Sequence, residues 1–166
     1  TGLNYLAKMK FNSLSYLDNN NTAISLGGFT YGVKVVDMAK AYQTMVNQGN
    51  YVDNNCIYKI EFQNEGVIFE EDSALIPVYE ADAAYLGVDC CRGVLEAPYG
   101  TATSRKIRNH DAMAKTGTTN DAKDVWFCGA TEYYSMAVWV GYDTPRPTNL
   151  TGGSIPGQIW NQMMTE

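Results

Sequence analysis

The sequence predicts an α+β fold, in which an antiparallel sheet is packed by helices. Three observations carry this. Helical spacing of apolar residues recurs over the first hundred positions. Three strand candidates then follow within about thirty residues, rich in β-formers such as Tyr133, Tyr134, Val138, Trp139 and Val140. A last amphipathic segment closes the chain, so helices, a meander and a final helix are segregated rather than alternating.

The elements follow in order. Leu3, Leu6, Ala7 and Lys10 allow a short helix, broken later by Gly27-Gly28, and Asn19-Asn20-Asn21 reads as a loop. Val35, Ala39, Tyr42 and Val46 form one helical face, widened by Met38 and Met45, with Gly49 as its C-cap. Residues 57–62 and 67–70 flank Asn64-Glu65-Gly66 as a hairpin. Ala84, Val88, Cys91 and Leu95 repeat the helical spacing, and Pro98 and Gly100 lie beyond that helix. Strands are expected over 112–118, 125–131 and 135–142, the last two as an antiparallel hairpin. Pro145 and Pro147 end the sheet. Ser154 caps the closing helix, with Pro156 in its first turn and Ile155, Ile159, Trp160 and Met163 as its apolar face.

Composition excludes several classes. The chain has 166 residues, 45% hydrophobic and 12% aromatic, which suits one globular domain or a large piece of one. A net charge of −6 repels phosphates and argues against a nucleic-acid partner. No apolar run approaches the ~18 residues that span a bilayer. The first residue is Thr1 rather than Met, which reads as a processed or excised piece, so missing targeting signals say nothing about the parent's location. Cys56, Cys90, Cys91 and Cys128 form no C-x-x-C, and His110 is the only histidine, so no metal or cofactor is expected. The cysteines read as small buried hydrophobes rather than a disulfide.

The chemistry centres on Lys115-Thr116-Gly117-Thr118-Thr119. A glycine inside a strand marks close approach by another backbone or a ligand. A peptide can lie along such an edge by strand addition, and an ammonium among hydroxyls favours an anionic group such as a terminal carboxylate. Alternation sets Lys115 and Gly117 on one face, Thr116 and Thr118 on the other. A phosphate loop is rejected, because residues 109–114 contain no glycine and a turn, not a helix, follows the lysine. The basic run Arg105, Lys106, Arg108, His110 and Lys115 reads as a solvated loop before the strand. Trp126, Phe127, Trp139 and Trp160 are expected to pack between sheet and last helix. Asp124 is a candidate for orienting the turn after Asn120-Asp121, with a plain surface carboxylate as the equal alternative.

These segments, in order, resemble class A (bifunctional) penicillin-binding proteins. Ala114 to Asp121 (A-K-T-G-T-T-N-D), Asp124 to Gly129 (D-V-W-F-C-G) and Val138 to Asp143 (V-W-V-G-Y-D) match the family's motifs around its third active-site strand. Leu26 to Val33, Met38 to Tyr42, Asn47 to Gly49, Gly152 to Ser154 and Ile159-Trp160 match its flanking segments. One K-T-G is a weak signal; six ordered segments over residues 3 to 164 are a strong one. The family usually has Gly where Ala114 stands, and a capping hydroxyl where Lys34 stands.

The resemblance implies an incomplete serine β-lactamase/penicillin-binding transpeptidase-like fold, with residues 1–166 the C-terminal portion of one transpeptidase domain. It implies a D-Ala-D-Ala transpeptidase that cross-links peptidoglycan stem peptides and is acylated by β-lactams. The parent would work on the extracytoplasmic face of the bacterial membrane, anchored upstream. Lys115 and Thr118 carry over as catalytic residues. Thr116, Gly117, Thr118 and Thr119 carry over as substrate-binding, with the Thr118 N–H as an oxyanion donor. No serine is followed by lysine three residues on: Ser13, Ser15, Ser25, Ser73, Ser104, Ser135 and Ser154 all fail, and no S-x-N exists. The nucleophile, its lysine partner and the strands that normally flank the Lys-Thr-Gly strand are therefore expected to be missing. The chain alone is expected to be inactive and to self-associate through an exposed edge or apolar face. The competing reading is a non-catalytic interaction or peptide-binding module on the same scaffold.

Overall fold

The computed structural model describes residues 2–53, 56–71 and 74–166. Thr1 and Ser73, named above, lie outside them. Helix α1 (Gly2–Lys8) is followed by 3₁₀ turns at Tyr16–Asn20 and Thr22–Leu26, then by α2 (Val35–Val46). Short strands β1 (Asn50–Tyr51) and β4 (Ile76–Pro77) pair, and between them β2 (Lys59–Phe62) and β3 (Gly66–Glu70) form a hairpin. Helix α3 (Ala81–Glu96) precedes β5 (Ala112–Thr118), β6 (Asp124–Thr131) and β7 (Ser135–Gly141), and α4 (Ile155–Thr165) closes the chain. The main sheet has the order β5-β6-β7, antiparallel throughout, so β6 is central and β5 is an edge. The α+β expectation and all three strands hold.

Alternation along β6 sorts the aromatics. Thr116, Phe127 and Val138 share one face by register; Gly117, Trp126 and Trp139 share the other. Helix α4 packs on the first, where Phe127 and Trp160 meet at 5.1 Å between ring centroids in a core with Leu95, Ala112 and Ala114. Trp126 and Trp139 instead lie half-buried on the opposite face, so only Phe127 and Trp160 join sheet to last helix. The apolar face of α4 is also shifted by one residue. Pro156, Gly157 and Trp160 are buried and Met164 packs beside them, whereas Ile155, Ile159 and Met163 are exposed. Ser154 occupies the N-cap position, but its hydroxyl bonds Thr151 rather than the helix.

Helix α2 lacks the one-sided burial expected of it. It lies between the sheet and a second core of Met9, Phe11, Tyr51 and Val78, which Met38 and Ala41 join. Covered on both sides, it buries Asp37 and Thr44 most deeply, while Val35 is exposed. It ends at Asn47; Gln48 takes the left-handed position (φ 55), and the Gly49 N–H closes onto the Thr44 carbonyl at 2.9 Å. That is a Schellman closure with Gly49 one step later than expected. A β-carbon on Gly49 would fall 2.2 Å from the Tyr79 carbonyl oxygen, so the glycine also lets the segment after β4 approach. Lys34 makes no side-chain cap. The Asn-rich segment is ordered by a capping box, Ser15 to Asp18, that turns Tyr16–Asn20 into a 3₁₀ turn rather than a plain loop.

Asp53 ties α1's end to α2, accepting from Lys10 at 2.7 Å, Lys40 at 2.8 Å and the Tyr51 hydroxyl at 3.0 Å. The Lys10 bond, with that of Lys40, holds its carboxyl well below the usual carboxylate range. A depressed folded pKa adds stability that is present above the ordinary value and lost as pH falls below it. Urea unfolding of the native chain and of Asp53→Asn, followed by circular dichroism across pH, measures that contribution. The variant should be less stable at pH 7, and the gap should narrow progressively as pH falls below 3.8.

Of the cysteines only Cys128 is a buried hydrophobe, its thiol pushed up to about 12 by burial. Cys91 is half-buried, and Cys56 and Cys90 are exposed, which corrects that expectation; all four are free thiols.

Candidate active-site strand

Strand β5 carries the Lys-Thr-Gly segment. Buried Ala112, Met113 and Ala114 anchor its first half, with α3 packed on it through Leu95. Its second half emerges from the core: Lys115 and Thr118 are exposed, Thr116 and Gly117 half-buried. The strand is thus neither helical nor covered by the tryptophan-bearing strands.

The Lys115 ammonium curls onto the Thr116 carbonyl at 2.7 Å, a carbonyl thereby turned away from β6. Main-chain groups alternate along an antiparallel edge, so the Thr118 N–H points the same way. Lys115 and Thr118 side chains do start from opposite faces, and the reach of the lysine around the strand edge brings its charge back to the edge. Gly117 leaves only 3.2 Å between the position of a β-carbon and the Trp126 Cβ, so any side chain there would crowd its cross-strand neighbour.

The three hydroxyls have different partners. Thr116 Oγ1 pairs with Thr101 Oγ1 at 2.9 Å. Thr118 Oγ1 accepts from the Gly152 N–H at 3.2 Å. Thr119, just past the strand, accepts from the Asp124 N–H at 2.9 Å and donates to the Asp124 carbonyl at 3.3 Å. Asp124 in turn accepts from Trp139 Nε1 at 3.0 Å. The Asp124 carboxylate thus holds β7, whereas it is the Asp124 backbone that fastens the turn, in which Asp121 and Ala122 both hold positive φ. Thr148 reinforces it, donating to the Ala122 carbonyl from N at 3.0 Å and Oγ1 at 2.6 Å.

Sequence reasoning missed Thr101, Gly152 and Arg105 as supports. Arg105 is part-buried and donates from Nε to the Gly153 carbonyl at 3.0 Å, so the basic run is not wholly a solvated loop. Lys106 pairs with Glu96 at 3.2 Å, while Arg108 and His110 are exposed. The signal that could have revealed the supports was the Gly152-Gly153 pair, which has no structural need inside a helix approach unless something passes close by. A cleft of about 850 Å³ opens at the other end of β5, among Tyr85, Arg92, Lys106, His110, Met113 and Glu132. The hydroxyl row is not part of it. Among the described residues no group of His, Cys, Asp and Glu is placed to hold a metal ion.

Comparison with known proteins places these features in a family. The profile described as penicillin binding protein transpeptidase domain matches residues 6–165. Penicillin-binding protein 1A of Clostridium acetobutylicum is 32% identical over 164 residues, covering 99% of this chain and 20% of that protein. Penicillin-binding protein 1A of Clostridium botulinum (strain Langeland) is 31% identical over 144 residues, covering 87% of this chain and 17% of that protein. The chain thus spans about a fifth of the length of these curated relatives. The structure of penicillin-binding protein PonA1 from Mycobacterium tuberculosis superposes with a TM-score of 0.81 at 25% identity, over 96% of this chain and 47% of that one. PonA1 in complex with penicillin V superposes equally well, at 26% identity. With the fold, the ordered motifs and these relatives in agreement, the chain belongs to the transpeptidase-domain family of penicillin-binding proteins.

Proposed function

We propose that this chain is the part of a D-Ala-D-Ala transpeptidase that holds the end of a peptidoglycan stem peptide beside the nucleophilic serine. The observation that carries the reading is the exposed outer edge of β5, where Lys115 and Thr118 flank Gly117. The stem peptide lies along that edge, its terminal carboxylate met by the Lys115 charge and the Thr118 hydroxyl. The Thr118 N–H faces the developing oxyanion. Such a donor is worth ~2.7–4 kcal/mol in the barrier, because it meets charge that grows only in the transition state. Thr116 and Thr119 hold the row in register, and Gly117 lets the substrate backbone approach. Penicillins occupy the same edge in the parent protein, which acts on the extracytoplasmic face of the membrane and is anchored there by another segment.

The serine and its lysine partner come from outside these residues, since no S-x-x-K occurs in them. Removing one member of a catalytic unit loses most of its rate. A fluorescent penicillin gel should show no specific covalent band for this chain alone, and a band that unlabelled penicillin competes away would contradict the reading. Coding sequence upstream of Thr1 should carry S-x-x-K and then S-x-N; their absence would favour a non-catalytic module.

The chain alone also self-associates, on this reading. Hairpin β2–β3 exposes Ile60, Phe62, Val67, Ile68 and Phe69 together, and an isolated two-stranded ribbon is marginal in water. Light scattering should show mass rising with concentration, and Phe62→Lys with Ile68→Lys should suppress the rise. A clean monomer at high concentration would count against it.

A further inference from the structure

The three hydroxyls around the end of β5 are held differently. Thr119 Oγ1 both accepts from and donates to Asp124, and Thr116 Oγ1 shares its bond with Thr101. Thr118 Oγ1 is different: it accepts the Gly152 N–H, and among the described residues nothing accepts its proton. A hydroxyl has one proton and two lone pairs. With one lone pair turned toward Gly152, the O–H of this exposed side chain is directed away from it, toward the solvent side.

We infer that Gly152 is a positioning residue whose N–H occupies one lone pair of Thr118 and so turns its O–H away from Gly152, poised to donate to the carboxylate of a bound peptide. The inference rests on the proposed reading of the β5 edge and names what orients its donor. The segment that supplies the N–H is held from several sides. A β-carbon on Gly152 would lie 2.3 Å from the Trp126 carbonyl oxygen and 2.9 Å from both Gly117 N and O, so the segment is pressed directly on the strand. Arg105 grips the Gly153 carbonyl at 3.0 Å, and the Gly157 N–H, in α4, closes onto the Gly152 carbonyl at 3.0 Å. Hydrogen bonds in series polarise one another, so a Thr118 proton given to a carboxylate strengthens the bond that Thr118 accepts.

The test is amide NMR of the 166-residue chain titrated with N-acetyl-D-Ala-D-Ala and, separately, with its C-terminal carboxamide. The carboxylate peptide should shift the amides of residues 115–118, move the Gly152 amide proton downfield and slow its exchange with solvent. The carboxamide should bind at least about tenfold more weakly, since it carries no charge and one acceptor fewer. Thr118→Ser should keep the Gly152 response, and Thr118→Val should abolish it. Gly152→Ala should weaken carboxylate binding by about tenfold; if it fails to fold, the Gly152 signal of the native chain decides. A response along β5 with an unmoved Gly152 amide overturns the inference and leaves the reading of the edge intact. No response of β5 to either peptide overturns the reading, and the inference with it.

Discussion

Replacing Trp160 with alanine should destabilise the domain by about 3–5 kcal/mol, the range for deleting a buried aromatic side chain. Trp160 is fully buried at the centre of the main core, its ring tilted 44° against Phe127. Gly129 is shaped around it: a β-carbon there would come within 2.8 Å of the indole Cζ2 and 2.5 Å of the Met113 carbonyl oxygen. That cradle is lined by backbone, which cannot collapse into the void. The indole N–H has no acceptor among the described residues, so Trp160→Phe removes an unpartnered donor, keeps the ring against Phe127 and should cost less than the alanine variant. A domain whose whole stability is about 5–15 kcal/mol should show the alanine variant as a large drop in urea midpoint. Equal midpoints for the alanine variant and the native chain would remove Trp160 from the centre of the core. The effect should reach the site, because α4 holds the Gly152 segment that touches Thr118.

In a protein that carries both this chain and the nucleophile, Lys115→Ala should slow acylation by penicillin about 10²–10³-fold. The side chain is exposed and, among the described residues, bonded only to the neighbouring Thr116 carbonyl, so the loss should come without loss of fold. An ammonium on a flexible stem can leave that carbonyl for an incoming anion, and the water-poor space between substrate and strand then strengthens the attraction. Arginine should rescue only in part, since its planar fork cannot reproduce a compact point charge. Stopped-flow acylation with a fluorescent penicillin measures both variants. A rate for Lys115→Ala within threefold of native, at an unchanged melting temperature, would take Lys115 out of the chemistry.

Much of this was legible in the chain because local signals agreed. Strand β5 came out at its observed bounds, since buried small residues, a lysine and a glycine follow one another with no helical spacing. The hairpin β2–β3 followed from Gly66, which holds φ 77 in its turn. What was illegible depended on partners distant in sequence. Ile155, Ile159 and Met163 make as good a helical stripe as Pro156, Trp160 and Met164; only the position of Phe127 decides between them. Helix α2 has an apolar stripe yet sits between the sheet and a second core, which no single-face pattern encodes. Trp126 and Phe127 are adjacent and equally apolar, and the pleat alone sends them to opposite faces. The supports of the candidate site have the same character, with Thr101 fifteen positions from Thr116 and Gly152 thirty-four from Thr118.

The most direct measurement is a crystal structure of the parent protein with a D-Ala-D-Ala-ending peptide bound, its serine replaced by alanine to hold the complex. The peptide should run alongside β5, with its carboxylate within hydrogen-bond distance of Thr118 Oγ1 and close to the Lys115 ammonium. A peptide seated instead in the cleft beside Arg92 and His110, with the outer edge of β5 bare, would contradict the account.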